Sequence, residues 1–190
     1  MTDFCLWRRL DTRFDELWPI MRSITGPGFR ASLKILQKEM PLTIESIPSG
    51  TEVFDWEIPP EWLITEARLT GPDQQVYADL DESNLAVMNY SAPVDQYLTL
   101  AELEPHIYST PTLPEATPYV TSYYEQNWGF CLPQTVRDSL PAGEYHAKID
   151  SEFDYDGRLN WGHCVLEGDS DAEVLLSTYL CHPSLANNEL

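Results

Sequence analysis

The residues best equipped for chemistry stand together in one stretch. An apolar run, Val174-Leu175-Leu176-Ser177-Thr178-Tyr179-Leu180, leads into Cys181-His182-Pro183-Ser184-Leu185-Ala186-Asn187-Asn188-Glu189-Leu190. An imidazole ligates divalent metals, and the amides of Asn187 and Asn188 with the carboxylate of Glu189 add oxygen donors within a single turn. A His at the carboxyl end of a buried strand also stands where open α/β sheets place ligands. Pro183 restricts His182 to extended backbone, so its ring can project into a crevice. Two plainer roles compete: His182 as a satisfied core histidine, and the Asn residues as the N-cap of a following helix. A catalytic metal needs about three protein ligands and an open position. Only His182, with Asn188 or Glu189, is at hand, so this chain alone is expected to bind a metal weakly and to hydrolyse nothing measurable. It reads as the front part of a larger enzyme-like protein.

The remaining candidates are weaker. His146 and His163 fall on the two arms of an expected hairpin and could face each other, but polar strand surface explains them more simply. His106 follows Pro105 at a helix end, where an imidazolium would meet the terminal carbonyls. Cys5, Cys131, Cys164 and Cys181 are far apart and form no C-x-x-C pair, which predicts reduced, mostly buried thiols. No nucleophile elbow and no Gly-rich nucleotide fingerprint occurs.

Certain elements must position these groups. Helical spacing of Phe4, Leu6, Trp7, Leu10, Phe14, Leu17 and Trp18, then of Leu33, Ile35, Leu36 and Met40, predicts two helices. Ile24-Thr25-Gly26-Pro27-Gly28-Phe29 separates them, and an anion at that turn is the less favoured use. From Pro41 proline becomes frequent and short alternating runs predict strands over 52–58, 66–70 and 75–80, the last two joined by Gly71-Pro72-Asp73. Pro59-Pro60 belongs at an edge or bend. Thr99 and Glu102 form a capping box for a short helix. Tyr119, Tyr123, Tyr124, Trp128 and Phe130 are too dense for a solvent-facing strand and suit a seal between two domains better than a sugar-stacking platform. Tyr145–Phe153 is expected to pair with Leu159–Leu166 across Asp156-Gly157, and 174–180 to form a buried strand.

Composition narrows the partners. Thirty-one acidic against eleven basic residues give a formal charge of -20, which disfavours nucleic acid and anionic membrane surfaces. No stretch approaches the ~20 apolar residues of a membrane span and no leader pattern is evident, so a cytoplasmic location is expected. With 43% hydrophobic and 12% aromatic residues, the chain has material for a core. Oligomeric state is not encoded in any pattern found.

The run 175–190 resembles the hallmark of a bacterial family of aminopeptidase-like proteins often described with polysaccharide biosynthesis. Val53-Phe54-Asp55-Trp56, Ala92-Pro93-Val94-Asp95, Pro118-Tyr119-Val120-Thr121-Ser122-Tyr123-Tyr124 and Trp128-Gly129-Phe130-Cys131 resemble its earlier motifs in the same order. The resemblance implies an α/β fold: a zinc-aminopeptidase-like open sheet, present here only in its N-terminal part, with an inserted β-rich domain. Residues 1–42 would be the N-terminal helices, 43–153 the insertion and 154–190 the start of the peptidase-like sheet. It further implies zinc as cofactor, a small peptide or amide as substrate, His182 as metal ligand, Asn188 at the metal-bridging position and Glu189 as the catalytic carboxylate. In zinc aminopeptidases of this kind an acidic residue follows the His by two positions and an Asp bridges both metals. Ser184 and Asn188 depart from that pattern, and a neutral amide offsets no cationic charge, so one zinc, or none, is better supported than two. The alternative is a non-catalytic peptide- or saccharide-binding protein on a degenerate peptidase scaffold.

Overall fold

The computed structural model describes residues 3–185. Along the chain lie α1 (Asp3–Leu17), α2 (Pro27–Leu36), β1 (Thr43–Pro48), β2 (Glu52–Val53), β3 (Trp56–Glu57), β4 (Glu61–Thr70), β5 (Val76–Asp79) and β6 (Val94–Thr99). There follow α3 (Leu100–Leu103), β7 (Ile107–Tyr108), β8 (Phe130–Cys131), α4 (Gln134–Arg137), β9 (Glu144–Asp154) and β10 (Arg158–His163). The strands form several small sheets, so the class is mixed α/β. They divide between two compact units: a discontinuous one, from the N-terminal side to Glu61 and again from Tyr155, and a continuous one, Trp62–Asp154. Residues 43–61, assigned from sequence to the insertion, cluster with the discontinuous unit.

In the discontinuous unit both predicted helices form. Pro27 occupies the first turn of α2, where its missing N–H costs nothing, and Gly26 precedes it at φ 101°, a conformation that favours glycine. A Cβ on Gly28 would lie 1.8 Å from the Met21 carbonyl oxygen, so α2 closes onto the incoming loop as only glycine permits. Glu39, just past α2, binds both Arg9 and Arg13 of α1. Strand β1 pairs antiparallel with β10 from Thr43↔His163 to Pro48↔Arg158, and Leu33 of α2 packs over Gly162. At the start of β4, Glu61 is 5% exposed. Both of its carboxylate oxygens accept from Arg30, at 2.6 and 2.8 Å, and the Arg158 backbone N–H adds a third bond at 3.2 Å.

The continuous unit is built on a four-stranded sheet of order β5-β4-β9-β6. Alternation along β9 buries Tyr145, Ala147 and Ile149 and turns His146, Lys148 and Asp150 the other way, the period of two that a half-buried strand requires. Leu69, Leu103, Phe130 and Leu132 complete the core, each no more than 1% exposed. The capping box forms as its sequence predicts. Thr99 N–H donates to Glu102 Oε2 at 2.9 Å, and Glu102 N–H donates to Thr99 Oγ1 at 3.4 Å. Gly71, Pro72 and Asp73 turn β4 into β5, also as expected.

Three expected elements differ. Residues 52–58 do not make one strand but fold back as β2 and β3, because Phe54 takes a left-handed turn at φ 56°. The hairpin across Asp156-Gly157 does not pair: β9 pairs with β6, Tyr97↔His146 among them, while β10 pairs with β1. The turn dipeptide is local, but the buried face of β9 selects its neighbours, and it belongs to the other unit. His146 and His163 therefore do not face each other. His146 Nε2 meets Asp95 Oδ1 at 2.7 Å, and His163 lies opposite Thr43. Finally, 174–180 joins no ladder among the described residues, and Val174, Leu175 and Leu176 are 87–90% exposed. An apolar run becomes a strand only where a neighbouring strand pairs with it, and no strand among the described residues does so here.

Candidate functional site

His182 sits between two buried residues, Cys181 and Pro183, while its own ring is half-buried. The ring stands edge-on to Tyr179, centroids 4.7 Å apart at 72°. After it the chain enters a single 3-10 turn, Pro183–Leu185, in which Ser184 adopts the left-handed conformation at φ 52°. The turn stops the extended run immediately past the imidazole.

The backbone at His182 is held from the loop after α1. Arg22 is 1% exposed, and its Nη1 donates to the carbonyl of Leu17, the last residue of α1, at 2.6 Å. Its Nε and Nη2 both donate to the His182 carbonyl, at 3.1 and 2.5 Å. Ser23 and Thr25 beside it are buried too, and Ser23 Oγ has no hydrogen-bond partner among the described residues. Arg22 escaped the sequence reading. Nothing local distinguishes a clasping arginine from a solvated one, since the acceptor lies 160 positions away.

The other predicted site residues, Asn188 and Glu189, lie outside the described residues. Among the described residues, no three His, Cys, Asp or Glu side chains are grouped closely enough to hold a metal ion. His182 thus offers one imidazole, and by itself does not fit a zinc ion. No helix among them is long and apolar enough to cross a membrane.

The aromatic cluster lies wholly in the continuous unit, where Phe130 is buried, Tyr119, Tyr123 and Trp128 are partly buried and Tyr124 is 82% exposed. Tyr123 stands edge-on to Tyr90 at 5.3 Å, Tyr119 and Tyr123 share a hydroxyl–hydroxyl bond of 2.6 Å, and Trp128 stacks face to face on His106 at 3.7 Å. His106 Nδ1 bonds the Trp128 carbonyl at 2.9 Å, which orients the ring at the end of its short helical turn. Cys131 is 1% exposed, and burial pushes its thiol up to about 12, so it is no nucleophile.

A protein of Clostridium acetobutylicum named "Putative polysaccharide biosynthesis protein with aminopeptidase-like domain" is 44% identical over 176 residues, covering 93% of this chain. A crystal structure of a "putative peptidase" from Clostridium acetobutylicum, also 44% identical, superposes with a TM-score of 0.85 over 93% of this chain. The chain spans only 40% of the first protein and 42% of the second. Residues 12–190 match the family described as "Domain of unknown function (DUF4910)". With nearly its whole length matched, the chain belongs to the DUF4910 family.

Proposed function

We propose that this chain is part of a zinc-aminopeptidase-like hydrolase that acts on a peptide or an amide-linked small substrate, with His182 as one metal ligand. The observation that carries the reading is the half-buried His182 ring, fixed by its buried neighbours, in a chain 44% identical to a protein named for an aminopeptidase-like domain. A zinc ion held there with further ligands would polarise a substrate carbonyl and activate water. Those ligands must come from outside the described residues. Asn188 would be one, and its neutral amide favours a single ion over two. Glu189 is the candidate catalytic carboxylate. The continuity of Trp62–Asp154, against the split unit that flanks it, supports reading this segment as an insertion into a peptidase-like sheet.

The test is metal analysis of a full-length family member after exhaustive dialysis, beside its counterpart of His182→Ala. About one zinc per chain, lost in the variant together with release of an amino acid from small peptides, is the expected result. Absence of stoichiometric zinc, with the variant unchanged, would overturn the reading. Peptide or saccharide binding without turnover would instead favour a non-catalytic binding protein.

A further inference from the structure

Arginine is seldom buried, because a guanidinium leaves water only at a cost that bonded N–H groups must offset. Arg22, 1% exposed, meets that condition with backbone carbonyls from two distant parts of one unit. The first belongs to Leu17, at the end of α1, where carbonyls lack intrahelical partners and carry the negative end of the helix dipole. The Leu17 carbonyl also accepts from the Ile20 N–H at 3.2 Å, and its bond to Nη1 anchors the cation. The remaining edge of the guanidinium, Nε with Nη2, then closes on the single carbonyl oxygen of His182.

Two donors from one rigid plane fix the direction of that carbonyl, and with it the backbone rotation just before Pro183. The preceding rotation is already limited by the proline. With both constrained, the Cα–Cβ bond of His182 has one direction, and the Tyr179 ring, 4.7 Å away at 72°, is a contact that bears on how the imidazole turns about it. Nothing in this chain of constraints uses a strand ladder, which agrees with the absence of one at 174–180 among the described residues.

We propose that Arg22 is a positioning residue for His182: it locks the imidazole-bearing backbone to the end of α1 so that the ring is presented in one orientation before any ligand arrives. This rests on the reading of His182 as a functional residue. It assigns Arg22 no contact with substrate or metal. The fork geometry is essential, so lysine, a point charge without two parallel donors, should replace it only in part.

The experiment follows the four histidine rings of this chain by NMR, with the His182 signals assigned by their loss in His182→Ala. In Arg22→Met the His182 signals should lose the displacement that the Tyr179 ring imposes and spread over several positions, and in Arg22→Lys they should do so less. The signals of His106, stacked on Trp128, should stay in place and report that the continuous unit is folded. If Arg22→Met does not fold, Arg22→Lys decides by the same criterion. Zinc alone, titrated into each protein, gives the second readout: the His182 response should need about tenfold more metal in Arg22→Met, as for loss of a group that orients a ligand. His182 signals that keep their wild-type position and contact with Tyr179 in the deciding variant would overturn the inference. If zinc leaves wild-type His182 untouched, the metal reading fails in this chain, and the ring displacement alone judges Arg22.

Discussion

Glu61 shows how one residue can carry a pH dependence. Burial pushes its carboxyl up, but the Arg30 guanidinium and the Arg158 N–H outweigh that and hold it below its ordinary value. A carboxylate depressed in the folded state contributes stability that is complete above its unfolded value and is lost as pH falls through the folded one. Glu61→Gln keeps the shape, removes the charge and leaves Arg30 with a weaker partner. It should cost about 2 kcal/mol near neutral pH, and urea midpoints should then fall less steeply between neutral and acidic pH than in the wild type. By contrast, Glu39 with Arg9 and Arg13 is a surface cluster whose attraction salt screens, and it should matter little to those midpoints. Arg22 and His182 belong at this scale too. The histidine was legible because its type and its proline announce it; the arginine was not, because its partner is a backbone atom far along the chain.

Elements divide by how local their causes are. The capping box at α3 needs only Thr99 and Glu102, so four residues predict it, and the structure contains both of its hydrogen bonds. Thr99→Ala should cost about 1 kcal/mol, read as a lower urea midpoint with an unchanged slope. The β4–β5 turn was readable for the same reason. The Asp156-Gly157 hairpin was misread because a turn signal states where the chain bends and not which strands pair: Tyr145, Ala147 and Ile149 bury on one face of β9, and β6 aligns with them in a six-residue register. Similarly, Phe54 at positive φ splits a run whose composition reads as one strand, and no residue type there advertises it. Segment 174–180 has a strand's composition but no strand partner among the described residues.

Across the whole molecule the apolar surface is unevenly shared. Val165, Leu166, Val174, Leu175 and Leu176 are 77–90% exposed, and Leu6, Trp7 and Leu10 of α1 about half exposed, all in the discontinuous unit. Exposed apolar stretches of this kind drive association even in a chain of charge -20. Sedimentation velocity of the 190-residue chain should therefore reveal concentration-dependent self-association, and the double substitution Leu175→Lys with Leu176→Lys should shift it toward monomer without moving the melting of the continuous unit. That unit holds its own timekeeper. Because the Cys131 sulfur is sealed in its core, where burial pushes the thiol up to about 12, an alkylating reagent can tag it only in the moments when the surrounding walls part. The pace of its tagging is then a stopwatch for breathing of Trp62–Asp154.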